Sequence, residues 1–107
     1  MSTQTSTLDK LNRLESLYRQ GYQSDLIDRS LDKMLALENA RIRRELSALQ
    51  VRLEAFEQRY QRSSADFHQR FCAGELGDAA DFFEWSAFCD MAQSLRQRLQ
   101  ELESEAG

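Results

Sequence analysis

Between Ile42 and Tyr60 the large apolar residues advance by 4, 3, 4, 3 and 4 positions, through Leu46, Leu49, Leu53 and Phe56. A second run, Trp85, Phe88, Ala92, Leu95, Leu99 and Leu102, advances by 3, 4, 3, 4 and 3. Alternation of threes and fours keeps one apolar seam on one side of an α-helix. A strand cannot use it, because its side chains alternate with period two. Two such seams in a chain of 107 residues with no proline and four glycines confine the fold to the all-α class. Leu, Ala, Glu, Arg and Gln dominate the sequence, and all are good helix formers.

Breakers and caps divide the chain. Residues 1–7 are polar and are expected as a disordered tail. Residues 8–107 are expected as a single helical domain, with helices at about 8–20, 25–61, 64–73 and 79–103. Thr7, followed by Asp9, is the expected cap of the first helix, and Gly21 occupies the left-handed position after its end. Ser24 opens the second helix, with Asp25 and Asp28 in the first turn, where carboxylates meet the positive end of the dipole. That helix is expected to run about 36 residues, or roughly 54 Å. Glu38 falls in its seam four residues before Ile42, so either the heptad stutters there or the facing helix stops. Ser63 with Asp66 reads as a capping box for a short third helix carrying Phe67 and Phe71. Gly74 ends it. Asp78, with Asp81 three residues on, is the expected cap of the last helix.

Two heptad seams joined by a short elbow are satisfied when the long and last helices pack antiparallel as a hairpin. Two helices bury only one seam and leave their flanks wet. The first helix is therefore expected to lie across the pair, and two chains to associate as a dimeric helical bundle.

At 100° per residue, Trp85, Phe88, Cys89 and Ala92 share one face of the last helix, with Phe82 at its edge. Phe83 points the other way, close to Ala80, Ala87 and Met91. The long helix has a similar weaker stripe in Leu37, Ala40, Ala48, Val51 and Ala55. A helix apolar on two faces has two neighbours. Phe83 and Met91 either pack on the Phe67–Phe71 helix or across a dimer axis, or they anchor a different protein, a role that aromatics and Met favour. Phe82, Phe83, Trp85, Ala87 and Met91 are thus the candidate protein-binding residues, and Trp85 and Phe88 also suit the core.

The chemistry of an enzyme is not legible. His68 is the single histidine. His68 and Cys72 are four residues apart on one helix face, but a metal site needs three or four ligands, so no metal and no cofactor are expected. An exposed His68 beside a packed Cys72 accounts for the pair. There is no Glu-x-x-His pair, phosphate-binding loop or nucleophile elbow. Glu75, Asp78, Asp81 and Glu84 cluster, and helix capping explains two of them. Arg41, Arg43 and Arg44, then Arg52, Arg59 and Arg62, are interleaved with acids as on a solvated helix face. With a net charge of −4 the chain has no global basic field, and no nucleic-acid partner is expected. Cys72 and Cys89 have no paired spacing and are expected as buried free thiols. The opening MSTQTSTLDKLNRL lacks the basic and apolar parts of a signal peptide. No run approaches the ~20 apolar residues of a membrane span. A cytoplasmic location is expected.

One string goes further. Phe56, Glu57 and Tyr60, then Ser63, Ser64 and Phe67, then Gly74 to Asp78, then Asp81 to Trp85, form the pattern F-E-x-x-Y, S-S-x-x-F, G-E-L-G-D, D-F-F-E-W. Over about 31–99 the chain resembles a family of small prokaryotic helical proteins regarded as antitoxin-like partners of co-encoded toxins. Relatives often carry Tyr at the positions of His68 or Phe88 and an uncharged residue at that of Arg62. The resemblance implies a non-catalytic protein that masks a toxin sterically, its acidic charge steering it to a basic, RNA-handling partner. The rival expectation is a structural coiled-coil adaptor or homodimer with no toxin partner.

Overall fold

The computed structural model describes residues 6–104. These residues form four α-helices: α1 (Thr7–Arg19), α2 (Asp25–Tyr60), α3 (Ser64–Cys72) and α4 (Ala80–Glu103). They cluster into two compact units, one ending at Met34 and the other beginning at Leu35. Of the tail expected over 1–7, residues 1–5 lie outside the described part.

The first unit contains α1 and the opening turns of α2. Its N-cap is Ser6, not Thr7: the Ser6 hydroxyl accepts the Asp9 amide at 3.1 Å, and Thr7 is already helical. The reason is reach, since a capping oxygen meets the amide three residues on. At the other end Gly21 adopts φ +93°, and the amides of Gly21 and Tyr22 bond the carbonyls of Tyr18 and Leu17. That is a Schellman closure, which needs the left-handed conformation glycine tolerates. The Ser24 hydroxyl accepts the Ile27 amide at 3.3 Å and caps α2. The Tyr18 hydroxyl fastens the turn: it accepts the Ser24 amide at 3.2 Å and lies 2.6 Å from Asp28 Oδ1. None of the described residues of this unit is buried.

The second unit holds the core. Ile42, Leu49, Leu53 and Phe56 of α2, Phe67 of α3, and Trp85, Ala92, Leu95 and Leu99 of α4 are buried in one cluster. Burial of each large side chain contributes about 1.5–3 kcal/mol, and these residues are mostly the two heptad seams. Polar contacts set the order of pairing. Arg59 and Tyr60, at the end of α2, hold Asp81 near the start of α4 at 2.8 and 2.7 Å. Asn39 and Arg43, earlier in α2, hold Glu103 at the end of α4. The contacts thus run in opposite order along the two helices. Glu38 is exposed and paired with Arg41 at 2.7 Å, so the charge in the seam falls where α4 ends.

The connection between α2 and α4 is built from its own hydrogen bonds. Gln61 takes φ +52°. The Arg62 amide returns to the Glu57 carbonyl, and the Gln61 side chain bonds the Gln58 carbonyl at 2.7 Å. Ser63 caps α3 through the Asp66 amide at 3.1 Å. Asp66 does not complete a capping box, because Arg62 and Arg70 take its carboxylate. Glu57 reaches across instead and accepts the Ser64 amide at 2.8 Å. Gly74 ends α3 at φ +76°. The cap of α4 differs from expectation: Ala79 occupies the N-cap with no side-chain bond, and Asp78 does not cap. Asp81 faces Arg59 and Tyr60, so pairing between the helices has taken the carboxylate that capping would use.

Candidate protein-binding surface

The aromatic residues fall into two tiers. In the inner tier the indole of Trp85 is sandwiched. One side lies flat on Phe67, with ring centroids 3.9 Å apart and planes 1° from parallel. Phe56 and Tyr60 approach at 5.5 and 5.7 Å. Its Nε1–H donates to the Ser64 hydroxyl at 2.9 Å. Trp85 and Phe67 have no exposed surface. Trp85, expected among the candidate binding residues, is therefore at the centre of the core. Phe88 is half-buried, 6.3 Å from Phe56, with the Arg52 guanidinium 5.3 Å over its face.

Phe82 sits between the tiers. It is half-buried, 5.3 Å from Tyr60, 5.5 Å from Phe67 and 6.4 Å edge-on to Phe71. Phe83 belongs to the outer tier. Its one aromatic partner among the described residues is Phe71, edge-to-face at 5.3 Å and 88°, and it remains 58% exposed. Ala87 and Met91 follow it at four-residue spacing, and both are exposed, Met91 by 51%. Helical periodicity makes Phe83, Ala87 and Met91 a single stripe. On α2, Leu37 and Val51 are likewise exposed, as are Ala40, Ala48 and Ala55.

Among the described residues, other titratable side chains make close pairs. His68 Nε2 lies 3.1 Å from Asp90 Oδ1 and 3.7 Å from Cys72 Sγ. Both partners face the same ring nitrogen, so the arrangement is not that of a base relayed between a carboxylate and a thiol. The expected exposure is reversed: Cys72 is exposed and His68 half-buried, because Phe67 takes the core position of α3 and Cys72, five residues on, turns outward. Cys89 is half-buried, and its burial, with Asp90 and Glu57 nearby, pushes the thiol up to about 11. Among the described residues no three His, Cys, Asp or Glu side chains group as a metal site. Arg41 pairs with Glu38 and Glu45, and Arg59 with Asp81, as on a solvated face. No helix among the described residues is long and apolar enough to cross a membrane.

Sequence reasoning missed two groups. Glu57 and Ser64 hold the elbow through an amide and an indole, and polar residues with a partner in another helix carry no periodic signal. Leu17 and Leu26, both exposed, stand one position before Tyr18 and Ile27 and outside the two heptad seams. Comparisons of the chain with protein-family models, with curated proteins and with solved structures find no match.

Proposed function

We propose that this chain is a non-catalytic protein-binding module, in which α2 and α4 form an antiparallel hairpin that presents the Phe83–Ala87–Met91 stripe to a partner protein. The observation that carries the reading is the separation of the aromatics. Core formation accounts for Trp85, Phe67 and Phe56, and it leaves Phe83 and Met91 largely in water. Aromatic and Met side chains of that kind are favoured interface anchors. The opposed order of the Arg59–Asp81 and Asn39–Glu103 contacts supports the hairpin.

The resemblance of the F-E-x-x-Y to D-F-F-E-W string to antitoxin-like proteins makes the partner a co-encoded toxin, masked sterically in the cytoplasm. The net charge of −4 suits a basic partner, whose approach it would accelerate at low salt. Phe56, Tyr60, Ser64, Phe67 and Trp85 of the motif hold this chain's own elbow and specify the scaffold, whereas Phe83, also in the motif, opens the stripe that does the binding. Co-expression with the product of the neighbouring reading frame tests the proposal: the two are expected to co-purify and growth to be rescued. No complex at micromolar concentration and no rescue would overturn it. A second reading, a coiled-coil adaptor or homodimer without a toxin, is favoured by the exposed leucines of α1; an isolated gene would support it.

A further inference from the structure

We propose that the unit ending at Met34 is a self-association surface, closed in solution by the same unit of a second copy of this chain. Leu11, Leu14, Tyr18, Ile27 and Leu31, with Glu15 as the one charged side chain, line an open, mainly apolar groove of about 200 Å³ between α1 and the start of α2. Among the described residues of the unit, 6–34, none is buried. Around the groove Leu8 is 65% and Leu26 75% exposed, and Leu17, Tyr22 and Met34 are also exposed. Helices of 13 residues are marginal in water without tertiary packing. Yet this pair is specified in detail, by the Ser6 and Ser24 caps, the Gly21 closure and the Tyr18–Asp28 clasp. Local design of that quality around an unburied apolar face marks a face completed by another polypeptide.

Area and charge identify a second copy as the occupant. A face two helices wide, about 20 Å, and some 20 Å long, the rise of α1, covers about 400 Å² in projection per copy. Two such faces laid together give about 800 Å² in projection, the small-interface class in which association is weak and concentration-dependent. Up to Met34 the sequence carries five acidic and five basic residues, so the unit is neutral and the whole net charge of −4 lies beyond it. A neutral face offers a charged partner nothing to steer by, and it meets its own copy without net repulsion. Closure by a two-fold axis is the commonest solution for such a patch. This inference is independent of the toxin reading, which uses α4.

The test uses the full chain. Sedimentation equilibrium is expected to give the mass of two chains for the wild type. For the Leu11→Glu/Leu26→Glu variant it is expected to give the mass of one, with association at least about tenfold weaker. Phe83→Ala/Met91→Ala is expected to remain two chains. Trp85 fluorescence should be the same in the wild type and the Leu11→Glu/Leu26→Glu variant, because the indole lies in the other unit. The wild-type melting curve should also move to higher temperature between about 1 and 100 µM, as coupled folding and association require. A wild type that stays single and concentration-independent, a Leu11→Glu/Leu26→Glu variant that still pairs, or pairing lost only in Phe83→Ala/Met91→Ala would each overturn the proposal. Binding of the toxin by an unpaired Leu11→Glu/Leu26→Glu variant would leave both readings standing separately.

Discussion

The indole of Trp85 and the ring of Phe67 are stacked 3.9 Å apart and parallel to within 1°. Both are fully buried, so α3 is fastened to α4 by one ring on another. Phe67→Ala opens a ring-sized cavity under Trp85 and is expected to cost about 3–5 kcal/mol, a large part of a small domain's stability. Denaturant unfolding followed by helicity measures it. Ser64→Ala leaves the buried indole N–H without its acceptor and is expected to cost about 1–2 kcal/mol by the same measurement. A Phe67→Ala variant as stable as wild type would mean that α3 is not part of the core.

Phe83 is one position from Phe82 and two from Trp85, and its expected behaviour is opposite. Its one aromatic partner among the described residues is Phe71, and it is 58% exposed. Phe83→Ala is expected to change stability by less than about 1 kcal/mol, as exposed sites do. In partner binding, measured by calorimetry against the co-encoded protein, the loss is expected to be about 2 kcal/mol or more if Phe83 is the anchor. Loss of helicity in Phe83→Ala would return the residue to the core and remove the proposed stripe.

Gln61 is the one residue besides glycine with positive φ among the described residues, at +52°. A side chain in the left-handed region costs about 1–2 kcal/mol. Against that stand the exposed bond from Gln61 Nε2 to the Gln58 carbonyl and the greater flexibility of glycine when unfolded. Gln61→Gly is therefore expected to raise the melting temperature modestly, by up to about 1 kcal/mol of stability. Gln61→Val should lower it by more, because a β-branched side chain is poorly accommodated there. Melting curves of the two variants with opposite signs would fix Gln61 as the residue that turns the chain out of α2.

The same positions show what the sequence makes legible and what it does not. Gly21 and Ser63 are local devices: each acts on amides within three to five residues, and each can be read from the residue type and its distance to the helix end. The heptad seams are nearly local, since a face must be filled by whichever helix meets it. Asp78 and Asp81 fail for the opposite reason. Capping and cross-helix pairing compete for a carboxylate, and the winner depends on whether an Arg59 or a Tyr60 arrives from another helix. The aromatic run was ambiguous because periodicity fixes the directions of Trp85 and Phe83 around the helix but not which direction has a neighbour. Only the position of Phe67 decides that.

Asp81 accepts from Tyr60 and Arg59. The Tyr60 hydrogen bond first, then that of Arg59, holds its carboxyl below the ordinary value. The carboxyls of Glu103, held by Asn39 and Arg43, and of Glu38, held by Arg41, are lowered as well. A depressed folded-state pKa means the unfolded chain binds the proton more readily, so the contribution is complete above the unfolded value near about 4. It is lost as pH falls through the folded value. The melting temperature is expected to be flat from neutral to about pH 5 and to fall below about pH 4. Asp81→Asn should shallow that acid limb while leaving its neutral end little changed, since exposed pairs contribute modestly. A limb identical to wild type would show that the Arg59–Tyr60–Asp81 contact is absent in solution.

Cys72 and Cys89 separate by environment. Cys72 is exposed. Cys89 is half-buried, its sulfur 3.9 Å from the Ser64 carbonyl, and burial first, then the charges of Asp90 and Glu57, pushes its thiol up to about 11. Alkylation requires the thiolate. At pH 8 a thiol with that pKa is ionised to only about one part in a thousand. Iodoacetamide at pH 8 is therefore expected to modify Cys72 first, and Cys72→Ser to remove the fast phase and leave a phase at least about tenfold slower. The raised value also fixes a sign: the neutral thiol favours the folded chain below the ordinary cysteine range, and this contribution fades as pH climbs through about 11. The slow phase should accelerate in Phe67→Ala, where loss of the ring loosens α3 and exposes the sulfur. Mass spectrometry after timed quenching assigns each phase, and equal rates at the two cysteines would show that α3 does not shield Cys89.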